Sequence, residues 1–143
     1  MKYLLMSSIC LIFLMYSFTN YNSNPPMSIQ IKDKVIEFAQ AIEHRDINQL
    51  DKLLHKDFRV VANQYPTKEK LSILSKEVYL SLMQSEKIGG AKYEVRFDYV
   101  SVEDHSATVI VHFKGEKSNM YLTLLLIESV NEWKIIEDMT YIK

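Results

Sequence analysis

A chain of 143 residues that is 48% hydrophobic and 24% charged has the composition of one ordinary globular domain, which sets aside disordered and fibrous classes. Seventeen basic residues against eighteen acidic ones leave a formal net charge of −1, and no cluster of Lys and Arg interleaves with aromatic residues. The electrostatic footprint of a nucleic-acid-binding protein is therefore missing, and no nucleic-acid partner is expected.

Residues 1–27 differ in composition from all that follows. Met1-Lys2 supplies one positive charge, and Tyr3 through Phe18 supplies none. This apolar run is longer than a usual signal core yet short for crossing a bilayer, and Ser17 and Thr19 are small residues suited to a cleavage site. It reads as a signal peptide that sends the domain to the periplasm or outside the cell. The alternatives are an uncleaved anchor over residues 3–18, the chain's one membrane contact, or a buried helix. Cys10, the single cysteine, follows Ser7-Ser8-Ile9, which lacks the small residue that a lipoprotein signature places just before its cysteine. It is read as apolar filler, so the exported domain carries neither a thiol nor a disulfide. The polar stretch from Asn20 to Pro26 is a linker, and the domain is expected over residues 28–143.

From Ser28 onward Ile31, Val35, Phe38, Ala39 and Ile42 fall on one helical stripe, with Lys32, Asp33, Lys34, Glu37 and Gln40 opposite. After a break at His44-Arg45, Asp46 with Gln49 forms a capping pattern ahead of Leu50, Leu53 and Leu54, so a second, short helix completes a helical corner. Phe58 to Val61 reads as a short edge strand, and Pro66 closes the stretch after it. Ser75 is a candidate cap for a third helix with its stripe at Val78, Leu82 and Met83, ended by Gly89-Gly90.

Four strands follow. Tyr93, Val95, Phe97 and Tyr99 alternate with Glu94, Arg96 and Asp98, which predicts one aromatic face and one wet face. Ala107, Val109, Val111 and Phe113 repeat the pattern after a turn near Glu103-Asp104. Tyr121 to Ile127 is apolar on both faces, as a central strand covered on two sides would be. Trp133 to Ile142 forms the last strand after a turn at Val130-Asn131-Glu132. The expected back face, with Ile110, Leu122, Leu124, Leu126 and Ile136, is more apolar than water requires. It is either the interface of a two-fold homodimer or is hidden by the sheet's own twist.

The helical corner, Leu54-His55-Lys56-Asp57-Phe58 leading into a strand, a third helix, and a meander ending in Trp133-Lys134-Ile135-Ile136 together resemble the nuclear transport factor 2-like (NTF2-like) superfamily. Ala41-Ile42 with Asp46-Ile47, Leu74-Ser75-Lys76-Glu77, Ala107-Thr108-Val109 and Tyr121 to Leu125 resemble its lumazine-binding or SnoaL-like branch of small bacterial proteins. The resemblance covers nearly all of residues 28–143. It implies an α+β cone, a curved mixed or antiparallel sheet packed on three N-terminal helices, with a pocket between sheet and helices and a homodimer as the usual assembly.

Enzymes of that superfamily place a carboxylate or histidine in the cone to move a proton beside a carbonyl, with a hydrogen-bond donor for the oxyanion. The first strand, Arg59 to Asn63, offers no such carboxylate. Strict alternation from Trp133 and Ile135 instead aims Glu137 inward with Met139 and Tyr141, making Glu137 the candidate base of a lyase or isomerase, with its pKa raised by desolvation. A bulge or the open mouth of the cone would leave it in water or paired with a basic residue. Tyr93, Phe97, Tyr99, Phe113, Trp133 and Tyr141 are the candidate ligand-lining rings, although tyrosines on an inner sheet face are more often core residues with a satisfied hydroxyl. Arg59 either meets an anionic ligand at the mouth or guards an edge strand. His44, His55, His105 and His112 are too scattered for a metal site, no motif implies a cofactor, and neither a nucleophile elbow nor a phosphate loop occurs. The favoured expectation is an exported domain that binds a small apolar or aromatic ligand without catalysis. An isomerase built on Glu137 and a dimeric protein-interaction module are the alternatives.

Overall fold

The structure is a computed structural model that describes residues 26–143. The leader, Cys10 and most of the linker lie outside the described residues. Among those described, no helix is long and apolar enough to cross a membrane.

Helix α1 (Met27–His44) buries Ile31, Val35, Phe38, Ala39, Ala41 and Ile42, the stripe that its 3.6-residue period collects on one side. It stops at Arg45, which takes the left-handed conformation (φ 49°), and Asp46 N–H turns back to the Ala41 carbonyl at 2.9 Å. Asp46 then caps α2 (Ile47–Leu53) by accepting from the Gln49 backbone N–H at 3.0 Å. The corner is clasped to a distant loop. Arg45 donates through Nε and Nη2 to the carbonyls of Ile88 and Gly89 at 3.1 and 2.9 Å, and Gly90 N–H donates to the Ile42 carbonyl at 2.9 Å. Gly90 has φ 81°, which favours glycine, and a Cβ there would displace the Arg45 guanidinium from its clasp.

Strand β1 (Leu54–Asn63) leaves α2 directly and is longer than the sequence pattern indicates. It is not an edge strand. The sheet order is β2-β1-β6-β5-β4-β3, with β1 and β6 parallel and every other neighbouring pair antiparallel. The edge belongs to β2 (Leu71–Ser75), which sequence patterning does not mark: its strongest apolar residues, Leu71 and Ile73, are exposed, so it has no amphipathic signature. Ser75 accepts from the Val78 N–H at 3.4 Å and caps α3 (Lys76–Gln84). Of the expected stripe Val78, Leu82 and Met83, Met83 is buried, Leu82 half-buried and Val78 exposed, with Tyr79 buried instead, and the helix ends at Gln84, before the glycine pair.

The meander comprises β3 (Glu94–Glu103), β4 (Ser106–Lys114), β5 (Asn119–Ser129) and β6 (Glu132–Ile142). Val130 and Asn131 both have positive φ in the two-residue turn between Ser129 and Glu132, the geometry that matches the twist of an antiparallel pair. The inner face of the sheet and the helices share one core containing Phe38, Phe58, Val109, Phe113, Leu124 and Ile135. Leu122, Leu124 and Leu126 belong to this inner face, opposite Val111, Val109 and Ala107, which corrects their expected place on the back. A run that is apolar at six of its seven positions, Tyr121 to Ile127, has too little alternation for its facing to be read.

Two bulges decide the facing of everything beyond them. In β3 the pairing jumps from Phe97↔Val111 to Tyr99↔Ile110, with Asp98 as the extra residue. In β6 it jumps from Ile135↔Leu126 to Glu137↔Leu125, with Ile136 extra. Each inserts one residue and reverses the side-chain parity that follows.

Candidate functional site

The bulge at Ile136 moves the candidate carboxylate. Trp133 and Ile135 point inward, but the next inward residues are Asp138 and Thr140, while Glu137, Met139 and Tyr141 face out. Glu137 accepts from Arg59 Nε and Nη2 at 3.0 and 2.7 Å on the outer surface, so the two residues expected at the cone form an ion pair away from it. Its neighbour Asp138 is 5% exposed and Thr140 8%. Sequence reasoning missed both, although the adjacent apolar pair Ile135-Ile136 was a visible break in alternation.

Asp138 lies between Val60 of β1 and Leu124 of β5, and Thr140 between Ala62 and Leu122. All four neighbours are buried and apolar. Asp138 Oδ1 and Thr140 Oγ1 have no hydrogen-bond partner. Buried polar atoms are nearly always paired, because leaving one unpaired costs about 1–3 kcal/mol. These two atoms, at adjacent inward positions of one strand roughly 7 Å apart, therefore call for a partner from outside the chain, a water or a ligand atom. Burial raises the Asp138 pKa from 3.8 to about 7, which brings its proton into exchange near neutral pH. Tyr79 reaches the same region from α3. Burial first, and then the Asp138 and Tyr93 groups, push its hydroxyl well above the ordinary tyrosine value, so it stays a proton donor. Its ring meets Phe58 edge-on at 5.5 Å.

The structure divides the candidate rings. Phe113 is fully buried, Tyr93 lies against it with centroids 5.7 Å apart, and Phe97 is partly buried beneath the Lys32 ammonium at 5.6 Å. Trp133 is buried and donates from Nε1 to Met27 Sδ at 3.2 Å, which ties the start of α1 to β6. Tyr99 and Tyr141 are instead 52% and 44% exposed on the outer face, because each follows a bulge. Among the described residues no three His, Cys, Asp or Glu side chains gather closely enough to hold a metal ion.

The outer face carries a feature of its own. Tyr99, Ile110, Thr123, Met139, Val61 and Ile73 are successive cross-strand partners, a transverse row that runs over all six strands from one edge to the other. Thr123 is its one polar member, and Tyr99, Ile110, Met139 and Ile73 are exposed.

Three helices on one side of a curved, mixed six-stranded sheet define an NTF2-like α+β fold. An NTF-2 like protein of unknown function from Silicibacter pomeroyi superposes with a TM-score of 0.69 at 14% identity, over 79% of this chain and 92% of that one. An NTF2-like protein from Cytophaga hutchinsonii gives 0.66 at 18% identity, over 80% and 97%. One from Shewanella baltica gives 0.68 at 6%, over 79% and 90%. At these identities the likeness is one of fold. The family model described as "Putative lumazine-binding" matches residues 28–140, and the chain belongs to that family. No curated protein matches the chain.

Proposed function

We propose that the domain binds a small, largely apolar or aromatic molecule between sheet and helices, held by hydrogen bonds to Asp138 and Thr140, and performs no catalysis on it. The observation that carries this reading is the pair of buried, unpartnered polar atoms, Asp138 Oδ1 and Thr140 Oγ1, on an otherwise apolar inner face. A ligand with a hydrogen-bond donor would satisfy what the fold leaves open. Entry past α3 suits the site, since this nine-residue helix is anchored by just two buried side chains, Tyr79 and Met83. The family's description makes lumazine, an aromatic heterocycle with N–H donors, the natural first probe. Native mass spectrometry of the purified protein should reveal a bound small molecule, or lumazine should raise the melting temperature in a manner lost in Asp138→Asn. An empty protein indifferent to lumazine and to a panel of aromatic heterocycles would sink the reading. Glu137 has no part in it, being held by Arg59 on the other side of the sheet.

We infer further that the transverse row pairs with the same row of a second copy, forming a homodimer through the sheet. A band that crosses every strand and is apolar except at Thr123 can pair with its own copy across a two-fold axis. Met139→Lys, placed at the middle of the band, should convert a dimer to a monomer in light scattering while leaving the fold unchanged. A wild-type protein that is monomeric at high micromolar concentration excludes the pairing.

A further inference from the structure

A hollow opens on the outer face where β3, β4 and β5 lie side by side, to one side of the apolar row. Its volume is about 370 Å³, and it is lined by Phe113 and by six outer-row residues, Glu94, Arg96, His112, Lys114, Asn119 and Tyr121. These six form two cross-strand rows of three, Glu94↔Lys114↔Asn119 and Arg96↔His112↔Tyr121. The bulge residue Asp98 organises the second row. Its carboxylate accepts from Arg96 Nε and Nη2 at 3.3 and 3.2 Å and pairs with His112 Nε2 at 2.9 Å. With one edge held by Asp98, the imidazole meets the Tyr121 ring edge-on at a centroid distance of 4.3 Å. The Arg96–Asp98 pair and an aromatic wall of His112 and Tyr121 thus stand side by side along one edge of the hollow.

The remaining charges are not consumed. A guanidinium has five N–H donors, of which Asp98 takes two, and Lys114 and Glu94 form no ion pair among the described residues. The hollow therefore offers the unused N–H donors of Arg96, whose charge is paired with Asp98, an unpaired ammonium at Lys114, an unpaired carboxylate at Glu94, an amide at Asn119 and a ring at Tyr121. A singly charged anion would face Glu94, and a singly charged cation would face Arg96 and Lys114. Three strands spaced about 4.8 Å apart give a width of roughly 10 Å, the length of a phenyl ring with a short substituent.

We propose that this hollow binds a small zwitterion bearing an aromatic ring, the chemical class of a free aromatic amino acid. The carboxylate lies on Arg96 and Lys114, the ammonium on Glu94, and the ring against Tyr121 and His112. The experiment is an NMR titration of the full-length chain with phenylalanine, and in parallel with phenylacetate and phenethylamine, which each keep one of the two charges. Phenylalanine should shift the His112 and Tyr121 ring resonances saturably and leave those of Tyr79 in place, and each analogue should bind about tenfold or more weakly, the value of one charged hydrogen bond. Arg96→Gln and Glu94→Gln, both at exposed positions, should each weaken phenylalanine binding by a similar factor while an unchanged far-UV spectrum reports an intact fold. Absence of saturable shifts at His112 and Tyr121 up to 10-millimolar-order concentrations (~10 mM, beyond the weakest affinities of such sites) would overturn the proposal, as would equal binding of phenylacetate or indifference to Glu94→Gln.

Discussion

Glu137 and Asp138 are neighbours in the chain and inhabit opposite sides of the sheet. Glu137 stands at the outer surface in a two-pronged contact with Arg59, a residue whose side chain is 58% exposed. Asp138 stands between Val60 and Leu124, near Tyr79, and its Oδ1 has no hydrogen-bond partner. The same functional group is thus satisfied by an ion pair on one face, and desolvated with an unpartnered oxygen on the other. The contrast shows that what a carboxylate can do here is decided by strand facing, and that the facing is decided by one extra residue, Ile136.

The largest consequence falls on the inner face. Because burial raises the Asp138 pKa to about 7 from 3.8, the folded protein keeps this proton at pH values where the unfolded chain has released it. The group's contribution is fully present below the unfolded value, is lost as pH rises through the interval between 3.8 and about 7, and is constant above it. An interval of roughly three pH units corresponds to a loss of about 4 kcal/mol. Urea unfolding between pH 4 and pH 8 should record that decline, and in Asp138→Asn the decline should flatten, leaving the variant more stable than wild type at pH 8 and similar at pH 4. A parallel pH dependence in the two proteins would mean that Asp138 is paired in solution. A ligand that donates to Asp138 should restore stability at neutral pH, so the cost carried by the empty protein and the proposed binding are two views of one arrangement.

How far the sequence reveals this contrast depends on how local each determinant is. The stripe of α1, the Asp46 cap and the Ser75 cap are encoded within a turn or two of helix, and each is legible and realised. So is the two-residue turn at Val130-Asn131. The identity of the edge strand is not local: β1 is interior because β6 returns beside it in parallel, a pairing between residues some 80 positions apart such as Val60 and Asp138. Strand facing lies between these cases. Alternation assigns Val95, Phe97, Val109 and Phe113 to the inner side, then fails at Tyr99 and Glu137, where a bulge adds a residue without altering composition. Each failure leaves a faint trace, an apolar doublet at Tyr99-Val100 and at Ile135-Ile136, where a regular half-buried strand would place a polar residue. The candidate site was therefore legible as a strand and as a carboxylate, but off by one position. Asp138 and Thr140 share parity with the outward-facing set until the bulge is known.

The outer face should respond far less to the loss of its own carboxylate. Arg59 and Glu137 make a short, two-donor contact, and Glu137 is 15% exposed, but the guanidinium remains largely in water and is screened by salt. Exposed pairs of this kind are worth about 0.2–1 kcal/mol. A double-mutant cycle of Arg59→Ala and Glu137→Gln should give a coupling energy at the upper end of that range, because both donors converge on one oxygen, and the coupling should shrink in molar salt. Neither single variant should alter the pH dependence that Asp138 imposes. If Glu137→Gln were to flatten that dependence as Asp138→Asn does, then the facing of β6 beyond Ile136 would be the reverse of the one described, with Glu137 inside and Asp138 at the surface. The small effect is thus the sharper test of the comparison: a flattened pH dependence in Glu137→Gln, rather than a mere loss of the Arg59 pair, would require an inward carboxylate.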